Sequence, residues 1–268
     1  MKIACGQFDI IPGQPEENMK RMEDLTFQTS QKGAELVVFP EVATTDYYVD
    51  HLVSLADSIP GKQSDVFSQI AAASKTYLAV GLLEMTREGV YNVSVLFSPN
   101  GAIIGKYRKT HLSVDSRGGT IANETGIFLP GDDLPVFRTN FGVVGMMICK
   151  DGDFPEVPRA LAVKGAEMIL WMTNRGGVNR HASIHYAASN CAVLIVANRA
   201  EGHAKGGGSV IIDWEGNVLD ETGAEEKILF ADIDMDSAEK ARTAHWQTTR
   251  VRRPALYGIL GKTEEQIL

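Results

Sequence analysis

The chain has few cysteines, no long apolar run and no signal-like opening. Three cysteines in 268 residues cannot build a disulfide framework and suit a reducing compartment, so we expect a cytoplasmic protein. The apolar runs fall well short of the ~18–20 residues that a membrane-spanning helix needs, which excludes an integral membrane protein. Residues 1–9 have the pattern of a short strand rather than of a secretory signal.

An excess of basic residues is also missing. The 34 acidic and 26 basic residues give a net charge of −8, which argues against a nucleic-acid partner bound through a broad basic surface. His181 and His185 are four residues apart on a predicted helix, but the glutamate of the metalloprotease motif does not lie between them. We therefore expect no metal site.

Short apolar runs alternate with longer helical segments along the whole chain. Residues 15–31 begin with a proline and are followed by Gly33, which is typical of a helix, and the apolar run 36–39 is closed by Pro40. The turn sequence at residues 99–101 separates two predicted strands, so hairpins occur beside the strand–helix units. The last predicted helix spans residues 235–244. This mixture predicts an α/β fold with mixed sheets, with strands inside and helices outside.

Three of the predicted strands end next to residues that can carry chemistry. Glu41 follows the run 36–40, Lys109 follows the strand that contains Tyr107, and Cys149 follows the apolar strand 142–148. A thiol can attack a carbonyl carbon, a carboxylate can take its proton, and an ammonium group can stabilise the resulting oxyanion. Each residue alone is more often structural, so only the three together indicate a catalytic site.

The segments around these residues resemble the nitrilase, or carbon–nitrogen hydrolase, superfamily. The resembling segments are FPE at 39–41, GKYRKTHL at 105–112, CKDGDFPE at 149–156, GGSVIID at 207–213 and RRPALY at 252–257. The resemblance implies a four-layer α-β-β-α sandwich in one domain over residues 1–268, without metal or organic cofactor. It also implies a homodimer or larger homo-oligomer, with residues from about 245 to 268 as a contact tail.

The resemblance also implies residue roles. Cys149 is the nucleophile, Glu41 the general base, and Lys109 stabilises the tetrahedral intermediate together with the backbone N–H of Lys150. Superfamily members often have a second glutamate between the lysine and cysteine segments, and Glu124 is the matching residue. Its expected role is to orient Lys109 and the substrate. Further residues are expected to contact the substrate: Tyr47, Lys150, Trp171, Thr173 and Asn174. Substrate choice is expected to depend on the loops around Tyr47, Gly118 and Asn174.

The residues after the nucleophile indicate which branch of the superfamily the chain resembles. Cys149-Lys150-Asp151-Gly152 resembles amidases and carbamoyl hydrolases, whereas true nitrilases usually have Cys-Trp-Glu. We therefore predict an amidase that converts a small amide to a carboxylic acid and ammonia through a thioester. An N-carbamoyl hydrolase or omega-amidase is the alternative, with Arg175 and Arg180 as candidate groups for a substrate carboxylate. A nitrilase and a catalytically silent binding protein are the remaining alternatives.

Overall fold

The computed structural model describes residues 1–114, 123–246 and 251–267. Twelve strands lie within these ranges: β1 Lys2–Gln7, β2 Leu36–Val38, β3 Tyr77–Met85, β4 Val90–Phe97, β5 Ile103–Arg108, β6 Val136–Thr139, β7 Gly142–Ile148, β8 Met168–Met172, β9 Val193–Ala197, β10 Val210–Ile212, β11 Val218–Glu221 and β12 Lys227–Asp232. The α-helices there are α1 Pro15–Gln31, α2 Lys62–Ser74, α3 Glu156–Val163, α4 Arg180–Asn190 and α5 Met235–Lys240.

The strands form two six-stranded mixed sheets. The first sheet has the order β12-β1-β2-β3-β4-β5 and the second β11-β10-β9-β8-β7-β6. In the first sheet β1, β2 and β3 are parallel, as are β7, β8 and β9 in the second, and antiparallel strands flank both groups. Helices α1 and α2 pack on the first sheet, and α3 and α4 pack on the second. The predicted four-layer α-β-β-α sandwich is confirmed.

Alternation of side chains along the strands explains why the sheets stack. On β2, Leu36 and Val38 point into the core between the sheets, whereas Val37 packs against the helix layer. On β7, Met146 points into the same central core and Met147 toward the helices. Both faces of these strands are therefore buried, which accounts for their continuous apolar sequences.

One strand was missed in the sequence, and one helix prediction needs correction. Strand β6 at the edge of the second sheet was not predicted, because its four residues include an arginine and are only partly buried. The helix expected over residues 235–244 is α-helical only over Met235–Lys240, and a π-helical turn, Ala241–Trp246, follows. None of the helices in the described ranges combines the length and the apolarity needed to cross a bilayer.

Candidate active site

Cys149 lies in a strained turn at the carboxyl end of β7. Its φ is +41°, a left-handed backbone conformation that residues other than glycine seldom adopt. The carbonyl oxygen of Cys149 accepts a hydrogen bond from Trp171 Nε1 at 3.1 Å and another from Arg175 Nη2 at 3.3 Å. The next turn is a 3₁₀ helix, Cys149–Asp153, in which Gly152 lies against the ring of Trp171. Strain of this kind costs about 1–3 kcal/mol and is typical of functional sites.

Glu41 is fully buried where the chain leaves β2. Gly81 on β3 allows this course, because an added Cβ there would lie 2.6 Å from the Cα of Glu41 and 2.4 Å from the oxygen of Pro40. The N–H of Glu41 donates to the oxygen of Thr173, which follows β8 of the other sheet, at 3.3 Å. The carboxyl end of β2 and that of β8 thus meet across the sandwich.

Lys109 joins two buried carboxylates. Its Nζ donates to Glu41 Oε1 and to Glu124 Oε1, both at 2.8 Å. Burial alone would lower the pKa of Lys109, but the neighbouring acidic groups, Glu41 first among them, outweigh it and raise this pKa well above its ordinary value. Lys109 therefore remains an ammonium group at every physiological pH.

Glu124 comes to this cluster from a short 3₁₀ helix, Glu124–Gly126. The N–H of Ser113 donates to Glu124 Oε2 at 2.6 Å, and the N–H of Glu124 donates to the oxygen of Ser113 at 2.9 Å. These two bonds turn Oε1 toward Lys109. The expected approach of Glu124 to Lys109 is present.

Tyr47 lies among the same groups, and its ring packs edge-on against Phe128. Its hydroxyl oxygen is 2.6 Å from Glu41 Oε1 and 2.7 Å from Glu124 Oε1. Asn92 Nδ2 donates to the Tyr47 hydroxyl at 2.6 Å and to Glu41 Oε1 at 2.7 Å. Tyr47 thus belongs to the buried polar cluster, beside the residues with predicted catalytic roles.

The acidity of Cys149 reflects this environment. Burial, followed by the negative charge of Glu41, raises the pKa of the thiol to about 11, although Lys109 and Arg175 lower it. At neutral pH the thiol therefore keeps its proton, and a nucleophilic attack needs a base.

Asp151 fixes the cysteine turn to the lysine segment. Its Oδ2 accepts from Tyr107 Oη at 2.6 Å and from the N–H of Ile148 at 2.8 Å. Its Oδ1 accepts from the N–H of His111 at 3.0 Å and from the Thr110 hydroxyl at 3.1 Å. A single buried carboxylate thereby holds the residues that follow Lys109 and the residue that precedes Cys149.

The other residues expected to contact the substrate lie around the buried cluster, and their side chains bond to other groups. Lys150 forms an exposed ion pair with Asp153 at 2.8 Å. Trp171 is buried beneath the cysteine turn, and the Thr173 hydroxyl contacts the oxygen of Ala197 at 3.4 Å. Asn174 Nδ2 lies 3.5 Å from the oxygen of Glu41, so it supports the turn that carries this residue.

The two arginines proposed to bind a substrate carboxylate lie in different places. Arg175 contacts the Cys149 turn, whereas Arg180 lies on the surface and pairs with Glu221 at 2.6 Å. Gly118 lies outside the described residues. In the described part of the chain, no group of three or more His, Cys, Asp or Glu side chains has the arrangement of a metal site.

Sequence reasoning did not identify Asn92 or the ion pair beneath the Glu41 turn. Asn92 lies inside β4, and asparagine is uncommon in strand interiors, which was the available signal. Asp46 and Arg199 form a fully buried ion pair at 3.0 Å that anchors the segment between Glu41 and Tyr47. Since these two residues are 153 positions apart, their pairing depends on the tertiary fold.

The chain is similar to several known amidases and to a protein named nitrilase. An omega-amidase NIT2 from Xenopus tropicalis is 29% identical over 96% of this chain and 97% of its own length. A protein named nitrilase from Pyrococcus abyssi is 32% identical over 88% of this chain and 90% of its own. Among solved structures, a mutant of the amidase from Nesterenkonia sp. AN1 has a TM-score of 0.78 at 25% identity, covering 91% of this chain and 97% of that one. Its active-site cysteine carries acrylamide by Michael addition.

The family model described as carbon-nitrogen hydrolase matches residues 2–243, a range that contains both sheets and the whole buried cluster around Lys109. The resemblance noted in the sequence is confirmed: the chain belongs to the carbon-nitrogen hydrolase family.

Proposed function

We propose that this protein is a cysteine-dependent amidase that hydrolyses the C–N bond of a small linear amide to a carboxylic acid and ammonia. The observation that carries the proposal is the buried cluster in which Lys109 joins Glu41 and Glu124 beside the thiol of Cys149. Family membership, the omega-amidase relative and the cysteine adduct of the Nesterenkonia amidase all support it.

In this proposal Glu41 is the general base for Cys149. Glu41 Oε1 is occupied by hydrogen bonds, whereas Oε2 is buried and has no partner among the residues that the structure describes. Oε2 can therefore receive the thiol proton as the sulfur attacks the amide carbon. The same proton then passes to the departing nitrogen, and the C–N bond breaks to leave a thioester.

Lys109 supplies positive charge to the oxyanion. Two of its three N–H bonds point to carboxylates, which leaves the third for the developing negative oxygen. The N–H of Lys150 is the second donor, and each such donor can contribute roughly 10²–10³ in rate. Water activated by Glu41 then hydrolyses the thioester and restores the thiol.

The finer substrate assignment is an amide at the end of a short chain. The omega-amidase relative supports an omega-amide, and an N-carbamoyl compound is the alternative. Of the two candidate arginines, Arg175 supports recognition of a substrate carboxylate, because it lies at the Cys149 turn and stacks over Trp171 at 5.7 Å. Because one relative is named nitrilase, nitriles are included among the test substrates.

The test is ammonia release from short aliphatic amides, aromatic amides, omega-amides, N-carbamoyl amino acids and nitriles. We expect wild type to turn over at least one class of amide, and Cys149→Ala to lose about 10⁴-fold or more in kcat. Equal turnover by both proteins would remove Cys149 from the mechanism. Sustained turnover of nitriles alone would replace the amidase assignment with a nitrilase.

We also propose the domain organisation, the assembly and the location of the enzyme. Residues 1–268 form one domain, and the segment from about 245 to 268 contacts a second copy in a homodimer or larger homo-oligomer. Exposed apolar side chains in this segment support that assembly: Val251, Leu256, Ile259, Leu260 and Ile267. The three unpaired cysteines support a reducing, cytoplasmic location.

A further inference from the structure

The hydrogen-bonded contacts around Lys109 number one more than the protons that Lys109, Asn92 and Tyr47 can donate to them. The six contacts join Lys109 Nζ, Asn92 Nδ2, the Tyr47 hydroxyl and the Oε1 atoms of Glu41 and Glu124. Lys109 directs two N–H bonds into these contacts, Asn92 directs two, and Tyr47 has one O–H. One of the six contacts is therefore left without a proton if both carboxyl groups are ionised.

The contact without a proton lies on Tyr47. Its oxygen is 2.6 Å from Glu41 Oε1 and 2.7 Å from Glu124 Oε1, both distances typical of short O–H···O hydrogen bonds. One phenol proton cannot serve both. Exchanging the amide oxygen and nitrogen of Asn92 does not supply the missing proton. The amide oxygen, an acceptor, would then lie 2.7 Å from the acceptor Glu41 Oε1.

Charge balance gives the same answer independently. Glu41, Glu124 and Lys109 are almost completely buried, so two ionised carboxylates with one ammonium would leave a net negative charge inside the protein. An uncompensated buried charge is strongly unfavourable, and one added proton makes the group neutral.

We propose that Glu41 and Glu124 share one proton through the hydroxyl of Tyr47, which makes Tyr47 a positioning residue for the reaction. The inference rests on the proposed function, in which Glu41 is the base for Cys149. In the resting enzyme the proton is on Glu124 Oε1, which donates to Tyr47, and Tyr47 donates to Glu41. Glu41 Oε1 already accepts from Lys109 and Asn92, so the anion is better stabilised there.

This arrangement prepares Lys109 for the oxyanion. As the sulfur of Cys149 attacks, its S–H bond breaks, the proton moves to Glu41 Oε2, and the electrons of the C=O double bond move to oxygen. Glu41 and Glu124 are then both neutral carboxylic acids. The charge of Lys109 no longer has a carboxylate partner, so it pairs with the new oxyanion.

Isotope-edited infrared spectroscopy of the resting full-length protein tests the proposal. With ¹³C-labelled glutamate at neutral pH, we expect a carboxylic-acid C=O band that moves on transfer to D₂O. Glu124→Gln should remove this band, and Tyr47→Phe should shift or remove it. Tyr77→Phe is the matched control and should leave the band unchanged. It removes another buried hydroxyl, whose one hydrogen bond within the described ranges is accepted from the N–H of Asn140 at 3.3 Å.

Kinetics provide the second measurement. We expect Tyr47→Phe to lower kcat about 10²-fold with little change in KM, because the ring still packs on Phe128 while the hydroxyl is lost. Absence of an acid band in wild type, or a band that Tyr47→Phe leaves unchanged, would overturn the proposal. Cys149→Ala should keep the band and lose turnover, so failure of proton sharing is distinguishable from failure of the amidase assignment.

Discussion

At the scale of single residues, the acidity of Cys149 separates two kinds of thiol enzyme. Where a cation stabilises the thiolate before substrate arrives, the thiol pKa lies below its ordinary value. Here burial and Glu41 raise this pKa to about 11, so Lys109 and Arg175 only partly offset them. The site is suited to proton removal during attack rather than to a resting thiolate.

This acidity predicts how Cys149 reacts without substrate. Alkylation of Cys149 by iodoacetamide should accelerate as pH rises toward the thiol pKa of about 11. Because the charge of Arg175 lowers this pKa, Arg175→Met should move the profile to higher pH and slow alkylation at any fixed pH below it. Arg180→Met is the control, since Arg180 pairs with Glu221 on the surface. A profile that Arg175→Met moves to lower pH would contradict the electrostatic account.

The residues that the sequence did and did not predict differ in how they are placed. Glu41, Lys109 and Cys149 each follow a strand, and this pattern together with the family resemblance led to their prediction. The fold brings Glu41 and Lys109 within 2.8 Å. Asn92 reaches Glu41 from the middle of β4, and although an asparagine inside a strand is unusual, the local sequence does not specify that it contacts Glu41. Tyr47 was expected to contact the substrate, and the contacts of its hydroxyl with both glutamates were not predicted.

At the scale of elements, the close approach of β3 to the turn after β2 positions the base. The N–H of Gly81 donates to the oxygen of Pro40 at 3.2 Å, and the N–H of Ala43 donates to the oxygen of Gly81 at 2.9 Å. A side chain at Gly81 would occupy the space of the Glu41 backbone. Strand pattern alone predicted β3 but not this requirement, because it depends on a turn 40 residues earlier in the chain.

Gly81→Ala should therefore impair catalysis more than stability. The added methyl would lie 2.4 Å from the oxygen of Pro40, so the Glu41 turn must move, and we expect kcat to fall about 10²-fold. Gly105→Ala on β5 is the comparison, because its methyl meets the ring of Phe137 instead, at 2.7 Å. Both variants should lose about 1–3 kcal/mol of unfolding free energy. If Gly105→Ala lowers kcat equally, general destabilisation would explain the loss.

At the scale of the whole molecule, stacking of two sheets accounts for the site. Glu41 and Lys109 come from the first sheet, and Cys149 comes from the second. Neither sheet alone supplies all three of Glu41, Lys109 and Cys149. Short apolar runs predicted the strands, but the stacking of the two sheets was inferred from the family resemblance, because an apolar run does not specify which buried faces meet.

The exposed C-terminal segment predicts how whole molecules associate. Leu256 and Leu260 are 60% and 65% exposed, and burying a leucine contributes about 1.5–3 kcal/mol. In a two-fold symmetric dimer each side chain counts twice, so the double variant Leu256→Glu with Leu260→Glu should shift a wild-type dimer to monomer. Light scattering coupled to size-exclusion chromatography measures this. Val66→Glu on α2, 36% exposed, is the control for an added surface charge and should remain a dimer. A monomeric wild type, or a double variant that still associates, would show that this segment does not hold the copies together.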